Sequence, residues 1–185
     1  MNARFRRWLA RGVGSAVIAV VAVTAAGYPV YVAPRTDAPT RADAVVVIGG
    51  PGAERYTYGI ELAERGLAPR LVISDPDWAS HQIVGPVCAQ PSRRGYTVTC
   101  FRPDPPTTKG EIKELNKLAH SEQWRTIDLV TFTPHVSRTR YLLDRCYSGD
   151  VRVSANPQHI GFVETAWQYV YQTAGYARAL VQRGC

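Results

Sequence analysis

Apolar residues in this chain occur in three patterns. The first is a single long stretch: from Gly12 to about Ala33 there is no charged residue, and Val and Ala dominate. About 20 such residues suffice for a helix to cross the ~30 Å hydrocarbon core of a bilayer. The second pattern is a set of short β-branched runs at 44–48, 70–73, 96–101 and 127–131, with a shorter one at 151–153. Runs without polar alternation predict parallel strands covered on both faces. The third is helical spacing. Residues 54–65 carry Tyr58, Leu62 and Ala63, and Gly66 stands where a helix stop favours glycine. Further helices are predicted from Thr107 or Thr108 to about His120, over 137–146 and over 161–182, with Trp167, Tyr171, Tyr176 and Leu180 available for packing. Between 80 and 94, Gly85-Pro86 and Pro91 predict a short helix and an irregular excursion.

Strands alternating with helices in short units imply parallel pairing through right-handed crossovers. The predicted class is α/β: a doubly wound, mainly parallel five-stranded sheet behind an N-terminal transmembrane helix. The organisation that follows is a basic tail at 1–11, a signal anchor at 12–33, a Pro- and Thr-rich linker at 34–42 and one α/β domain at 43–185, within a length of 185 residues.

Charge changes the picture mainly at the N-terminus. Arg4, Arg6, Arg7 and Arg11 precede the apolar stretch and predict that this end stays inside, while Tyr28 and Tyr31 suit the opposite interface. The domain is then expected outside the cytoplasm, attached to the plasma membrane by a single pass. Two alternatives are a signal peptide cleaved near Thr24-Ala25-Ala26 and a buried core helix. Setting those four arginines aside reduces the net charge from +7 to +3, with 18 basic and 15 acidic residues left. No basic stripe remains to suggest nucleic acid.

The four cysteines, Cys88, Cys100, Cys146 and Cys185, form no CxxC pair and do not have zinc-site spacing. In an oxidising compartment an even count favours disulfides. Of three possible pairings, the expected one joins Cys88 to Cys100 across an irregular region and Cys146 to Cys185; free buried thiols are the alternative.

Candidate chemistry gathers where strands end. Thr131-Phe132-Thr133-Pro134-His135-Val136-Ser137-Arg138 reads as a strand end, a short loop presenting His135, and a helix with Arg138 in its first turn. Ligands of open α/β sheets sit outside the carboxyl ends of strands, where helix N-termini also point. Gly49-Gly50-Pro51-Gly52 follows the first strand; it could cradle a phosphate, although Pro51 has no N–H to donate, or it could simply be a tight turn. Arg55 near the start of the next helix opposes the helix dipole, which a bound anion would offset; the alternative is a solvated surface arginine. Thr108 and Glu111 have capping-box spacing, and Glu111 could also serve as a general base or bind a hydroxyl. Ser74 ends the second strand. The candidate set is therefore His135 and Glu111 for catalysis, with Gly49, Gly50, Arg55, Ser74, Thr108 and Arg138 for ligand binding. An imidazole beside arginines suits an anionic or phosphorylated ligand. No metal or cofactor is expected, and no GxSxG, Walker or HExxH motif occurs.

In this order, these residues resemble the YdcF/SanA/ElyC-like family over 43–168. The resemblance rests on Val-Ile-Gly-Gly at the first strand, Arg55 with Ala63 and Gly66-Leu67-Ala68-Pro69, the Leu-Val-Ile-Ser that ends the second strand, the Thr-Thr-Lys-Gly-Glu helix start and His135-x-x-Arg138. It implies a Rossmann-like fold with its pocket at these loops, often behind N-terminal membrane helices. It also implies a role in bacterial envelope biogenesis or barrier function, including peptidoglycan and its lipid carrier. One branch is associated with S-adenosylmethionine binding. Members usually carry Ser-Gly-Gly after the second strand, where this chain has Ser74-Asp75-Pro76.

The expected function is that of a membrane-anchored extracytoplasmic domain binding an anionic envelope intermediate, with hydrolysis or group transfer as its chemistry if it is an enzyme. A non-catalytic binding or scaffold protein and an S-adenosylmethionine-binding protein are the alternatives. A reporter fused after Cys185 is expected to be active only when exported. Cytoplasmic fluorescence from such a fusion, with no export-dependent enzyme activity, would reverse the orientation.

Overall fold

In a computed structural model of the chain, the residues described are 3–50, 52–75, 81–93, 95–182 and 184–185. Pro51 and the 76–77 continuation of the loop after the second strand lie outside them. Helix α1 (Ala3–Gly27) runs into a π-helical turn, Tyr28–Val32, in which Ala33 N–H reaches back to Tyr28 O. Pro29, lacking an N–H, sits at the start of this turn, where the ordinary helical register cannot continue. The stretch Arg11–Val32 is long and apolar enough to cross a membrane, and almost none of it is buried against the domain. It is therefore not a core helix.

The sheet has six strands rather than five: β1 (Ala44–Val47), β2 (Arg70–Ser74), β3 (Ser92–Arg93), β4 (Tyr96–Phe101), β5 (Thr126–Thr131) and β6 (Asp150–Ala155). Their order is β3-β4-β2-β1-β5-β6, and every pairing is parallel except β3 with β4. The unexpected β3 is a two-residue edge strand folded back onto β4, with Gly95 in the left-handed region (φ 92°) at the turn. Two residues are too few to leave a hydrophobic period, so the segment looks irregular in the sequence.

Helices cover both faces. Ala44, Val46 and Ile48 pack with Ile112 and Leu115 of α4 (Thr108–Ser121) and with Leu142 and Leu143 of α5 (Val136–Cys146). Val45 and Val47 point the other way, to Tyr56, Leu62 and Ala63 of α2 (Glu54–Glu64) and Val84 and Val87 of α3 (His81–Cys88). This double coverage explains why β1 is apolar at every position. Contrary to expectation, Gly85-Pro86 does not break α3, which contains Pro86. The proline forfeits one intrahelical bond, and burial of Val84 and Val87 with the Cys88 disulfide holds the short helix in place.

Helix α6 (Phe162–Val181) also departs from expectation. Of the four aromatic and aliphatic residues expected to pack, Trp167, Tyr171 and Leu180 are more than half exposed. Only Tyr176 is partly covered, against Tyr141. The residues turned inward are Gln168, Gln172 and Ala179. Apolar residues occur all round this helix, so its hydrophobic pattern did not reveal which side faces the core.

The segment after α1 is not a free linker. Asp37 accepts from Arg140 Nη2 and from Val153 N–H, its own N–H donates to Val153 O, and Arg140 Nε donates to Arg35 O. Tyr31 is buried beside α6, its hydroxyl 2.9 Å from Thr173 Oγ1. Thr40 N–H reaches Asp128 Oδ2 at 3.3 Å, in the middle of β5, where Ser154 Oγ donates to the other carboxylate oxygen at 2.6 Å.

Both expected disulfides are present, Cys88–Cys100 and Cys146–Cys185, and no cysteine is free. They close loops with sequence separations of 12 and 39. Loop-closure entropy assigns them roughly 3 and 4 kcal/mol. In denaturant unfolding, the Cys146→Ser/Cys185→Ser pair is expected to lose more stability than the Cys88→Ser/Cys100→Ser pair; the reverse order would mean that chain entropy does not set their contributions.

Candidate functional site

From β1 the chain builds outward to β2 and β4, then returns to the other side of β1 for β5 and β6. The connections leaving β1 and β5 therefore diverge, and a crevice opens at the carboxyl edge between them. A cavity of about 350 Å³ lies there. Gly49, Gly50 and Arg55 line it from the β1–α2 connection, Thr108 and Glu111 from the start of α4, and His135 and Arg138 from the turn after β5. Seven of the eight sequence-selected residues thus meet in one cavity. Ser74 lies buried at the end of β2 and does not line it.

Each side chain is held by identifiable contacts. Arg55, expected either as an anion ligand or as a surface residue, is buried, donates to Gly49 O at 3.1 Å and stacks 4.7 Å from the centroid of Phe132. Gly50 has φ +145°, and a Cβ there would collide with the Arg55 guanidinium. Glycine is needed at this position both for its dihedral and for the close approach. The residue capping α4 is Thr107, whose hydroxyl accepts from Gly110 N–H at 3.2 Å, so the expected Thr108–Glu111 capping box does not form. Both members face the cavity instead. Glu111 Oε1 accepts Gly49 N–H at 2.6 Å, tying α4 to the β1 loop, and Thr108 Oγ1 lies 3.2 Å from His135 Nε2.

His135 sits in a 3-10 turn, Thr133–His135, that leads into α5. Its Nδ1 is 3.0 Å from Thr131 Oγ1. Arg138 Nη1 donates to Thr108 Oγ1 at 3.3 Å and its Nε to Gln172 Oε1 at 2.9 Å. In one arrangement of this network the Thr108 proton is directed to His135 Nε2, and the neutral imidazole carries its own proton on Nδ1 and donates it to Thr131. A hydroxyl facing the lone pair of a neutral imidazole is the arrangement of a general base with its proton donor.

The electrostatics favour an anion. Burial lowers the pKa of His135 well below its ordinary value, and Arg138 and Arg55 push it in the same direction. Burial also lowers the pKa of both arginines, with the Glu111 carboxylate among the groups opposing it. Burial raises the pKa of Glu111, opposed by nearby Ser74, by Gly49 N–H and by the two guanidiniums. Ser74 Oγ itself has no hydrogen bond of normal geometry. Lys109 and Arg178 also line the cavity, so among the described residues its lining holds four basic side chains and one carboxylate. Among the described residues no cluster of His, Cys, Asp and Glu could hold a metal ion.

Sequence reading missed the wall contributed by α6. Tyr171, Gln172 and Arg178 line the cavity, and Glu164, Gln168 and Gln172 form a ladder of side-chain hydrogen bonds ending on Arg138. The available signal was Gln168 and Gln172, four residues apart on an otherwise apolar helix. Thr131 and Phe132 carry no functional signal in the sequence, yet one bonds His135 and the other stacks on Arg55.

Keeping His135 neutral has a consequence for stability. An unfolded histidine takes up a proton as pH falls through about 6.5, while the folded one resists it, so stability declines as pH drops below that value. His135→Gln is expected to remove this part of the slope in denaturant melts between about pH 5 and 7. An unchanged difference in slope would mean that His135 protonates readily in the folded protein.

No protein-family model, curated protein or solved structure matches the chain.

Proposed function

We propose that this protein is a membrane-anchored extracytoplasmic domain that binds an anionic, phosphorylated intermediate of the cell envelope at the crevice between β1 and β5. The observation that carries this reading is the pair of arginines, Arg55 buried and Arg138 half-buried, flanking a neutral His135 in a cavity where, among the described residues, basic groups outnumber acidic ones. Guanidiniums in fixed positions can bind a phosphate by paired, charge-assisted hydrogen bonds. Counted along the chain, the parallel strands run 3-2-1-4-5 across the sheet, with helices on both faces. That order supports a Rossmann-like, doubly wound reading and, with the site residues, the resemblance to the YdcF/SanA/ElyC-like family. The apolar α1 and two disulfides support the anchored, exported location.

In the catalytic form of this proposal, Thr108 or a water replacing its contact gives a proton to His135 Nε2 and attacks the phosphorus of the ligand; the phosphorus–oxygen bond to the leaving group breaks, and His135 Nε2 returns the proton to the departing oxygen. Arg55 and Arg138 carry the charge that develops on the ligand oxygens. Glu111 supports the β1 loop from below. The second reading, a receptor without turnover, is favoured by one observation: both ring nitrogens of His135 are engaged by threonine hydroxyls.

Titration of the full-length protein in detergent with inorganic pyrophosphate and with a polyprenyl phosphate tests both readings. Arg138→Ala is expected to weaken binding by roughly 1.5–3 kcal/mol. It should also lower Tm modestly, because Arg138 bridges α5 to Gln172 of α6. His135→Ala should abolish turnover and spare binding in an enzyme, but weaken binding in a receptor. Equal affinity of wild type and Arg138→Ala for both phosphates would end the anion-site reading.

A further inference from the structure

Helix α6 has its polarity reversed relative to a soluble amphipathic helix. Gln168 and Gln172 are buried, while Val163, Trp167, Val170, Tyr171, Leu180 and Val181 are each more than half exposed. Glu164 and Arg178 are the only charged residues along Phe162–Val181, and no described element covers the outward side. In water, an apolar face of this length marks a contact surface.

What covers it is indicated by its neighbour. Tyr169 Oη donates to Thr24 O at 3.0 Å, and its ring packs edge-on to Tyr31 with centroids 4.9 Å apart. Gly27 lies so close beneath the Tyr169 ring that a Cβ would collide with it. Thr173 reaches the Tyr31 hydroxyl. Thr24, Gly27 and Tyr31 all belong to the apolar span Arg11–Val32. Thr24 lies eight residues inside the far end of that span, about 12 Å along a helix axis. A helix joined to the span at that depth cannot stand clear of a bilayer that the span crosses.

We infer that α6 is a second membrane contact, its outward apolar face lying in the outer boundary of the bilayer that α1 crosses. An interfacial helix buries its apolar side at the headgroup–acyl boundary and keeps its polar side out of the lipid. Here the polar side is the Gln168–Gln172 ladder facing the domain. Continuity with the span favours lipid over a second copy of the chain as the occupant. Because the inner face of α6 forms a wall of the cavity, the mouth beside Tyr171 and Arg178 opens at headgroup level. A ligand whose anionic head sits in that layer reaches the cavity without leaving the membrane. This inference rests on the reading that α1 is retained as an anchor, and not on the chemistry assigned to the cavity.

The test uses full-length protein reconstituted in phosphatidylcholine vesicles containing phospholipid brominated either near the headgroup or near the chain end. Trp167 emission is isolated as the difference between wild type and Trp167→Phe, an exposed and conservative change. The expected result is loss of the Trp167 component with bromine near the headgroup and a smaller loss with bromine at the chain end. Trp8, in α1, reports retention of the anchor in the same sample. Trp8 quenched and Trp167 unaffected would overturn the inference and leave the anchor reading intact. A purified chain whose mass lacks the segment bearing Trp8 would overturn both. An unquenched Trp167 in a vesicle-bound dimer would replace lipid with a second copy as the covering surface. None of these outcomes bears on phosphate binding, which the Arg138→Ala titration decides separately.

Discussion

Two guanidinium groups in one cavity, Arg55 buried and Arg138 half-buried, are the constraint on which the rest of the site depends. Moving a charge into the interior costs several kcal/mol even after relaxation, so each arginine must be given compensating partners. Arg55 has Gly49 O and the face of Phe132; Arg138 has Thr108 and Gln172. Glu111 supplies the opposite charge and fastens the Gly49 loop that one of those carbonyls comes from. The state of His135 follows from this arrangement. An imidazolium between two guanidiniums would be a third cation in the cavity and itself buried, and the neutral ring bonded to two threonine hydroxyls avoids it.

The sequence made the sheet and the near side of the site legible, for physical reasons. A strand buried on both faces must be apolar throughout, so 44–48 and 127–131 stand out. The ends of those strands necessarily share one edge in a parallel sheet, so Gly50, Thr108 and His135 could be grouped without coordinates. That the cysteines pair was suggested by their even count; which of the three pairings forms was read from Cys88 and Cys100 flanking an irregular region and Cys185 standing last in the chain. What stayed hidden depends on contacts between remote segments. The hydroxyl of Thr108 fits a helix cap as well as it fits a partner of His135, and only the position of Thr107 decides between them. The burial of Arg55 depends on Phe132, which is far from it in sequence. The inward side of α6 is chosen by two glutamines that pattern analysis treats as surface residues.

Much of the domain's cohesion outside the sheet passes through α5. Its Arg138 reaches α4 and α6, Arg140 reaches the segment after α1, and Arg145 donates to the carbonyls of Ala179 and Gln182 near the end of α6. Cys146 adds a covalent link to Cys185 at the same end. Arg138 and Arg145, seven residues apart on one face of the helix, thus both bind α6, while Arg140 on another side binds the segment after α1.

The Asp37 latch gives the segment after α1 no slack. Its carboxylate accepts from Arg140 and from Val153 N–H, which hold its pKa below the ordinary range although burial pushes it upward. A loose tether would let a domain sweep a wide shell above the surface it is attached to. This one is fastened along its length, at Tyr31, Asp37 and Thr40, and behaves as a spacer of fixed height. In the anchored arrangement proposed above, the segment would act as a ruler, setting a single elevation at which the cavity meets its ligand.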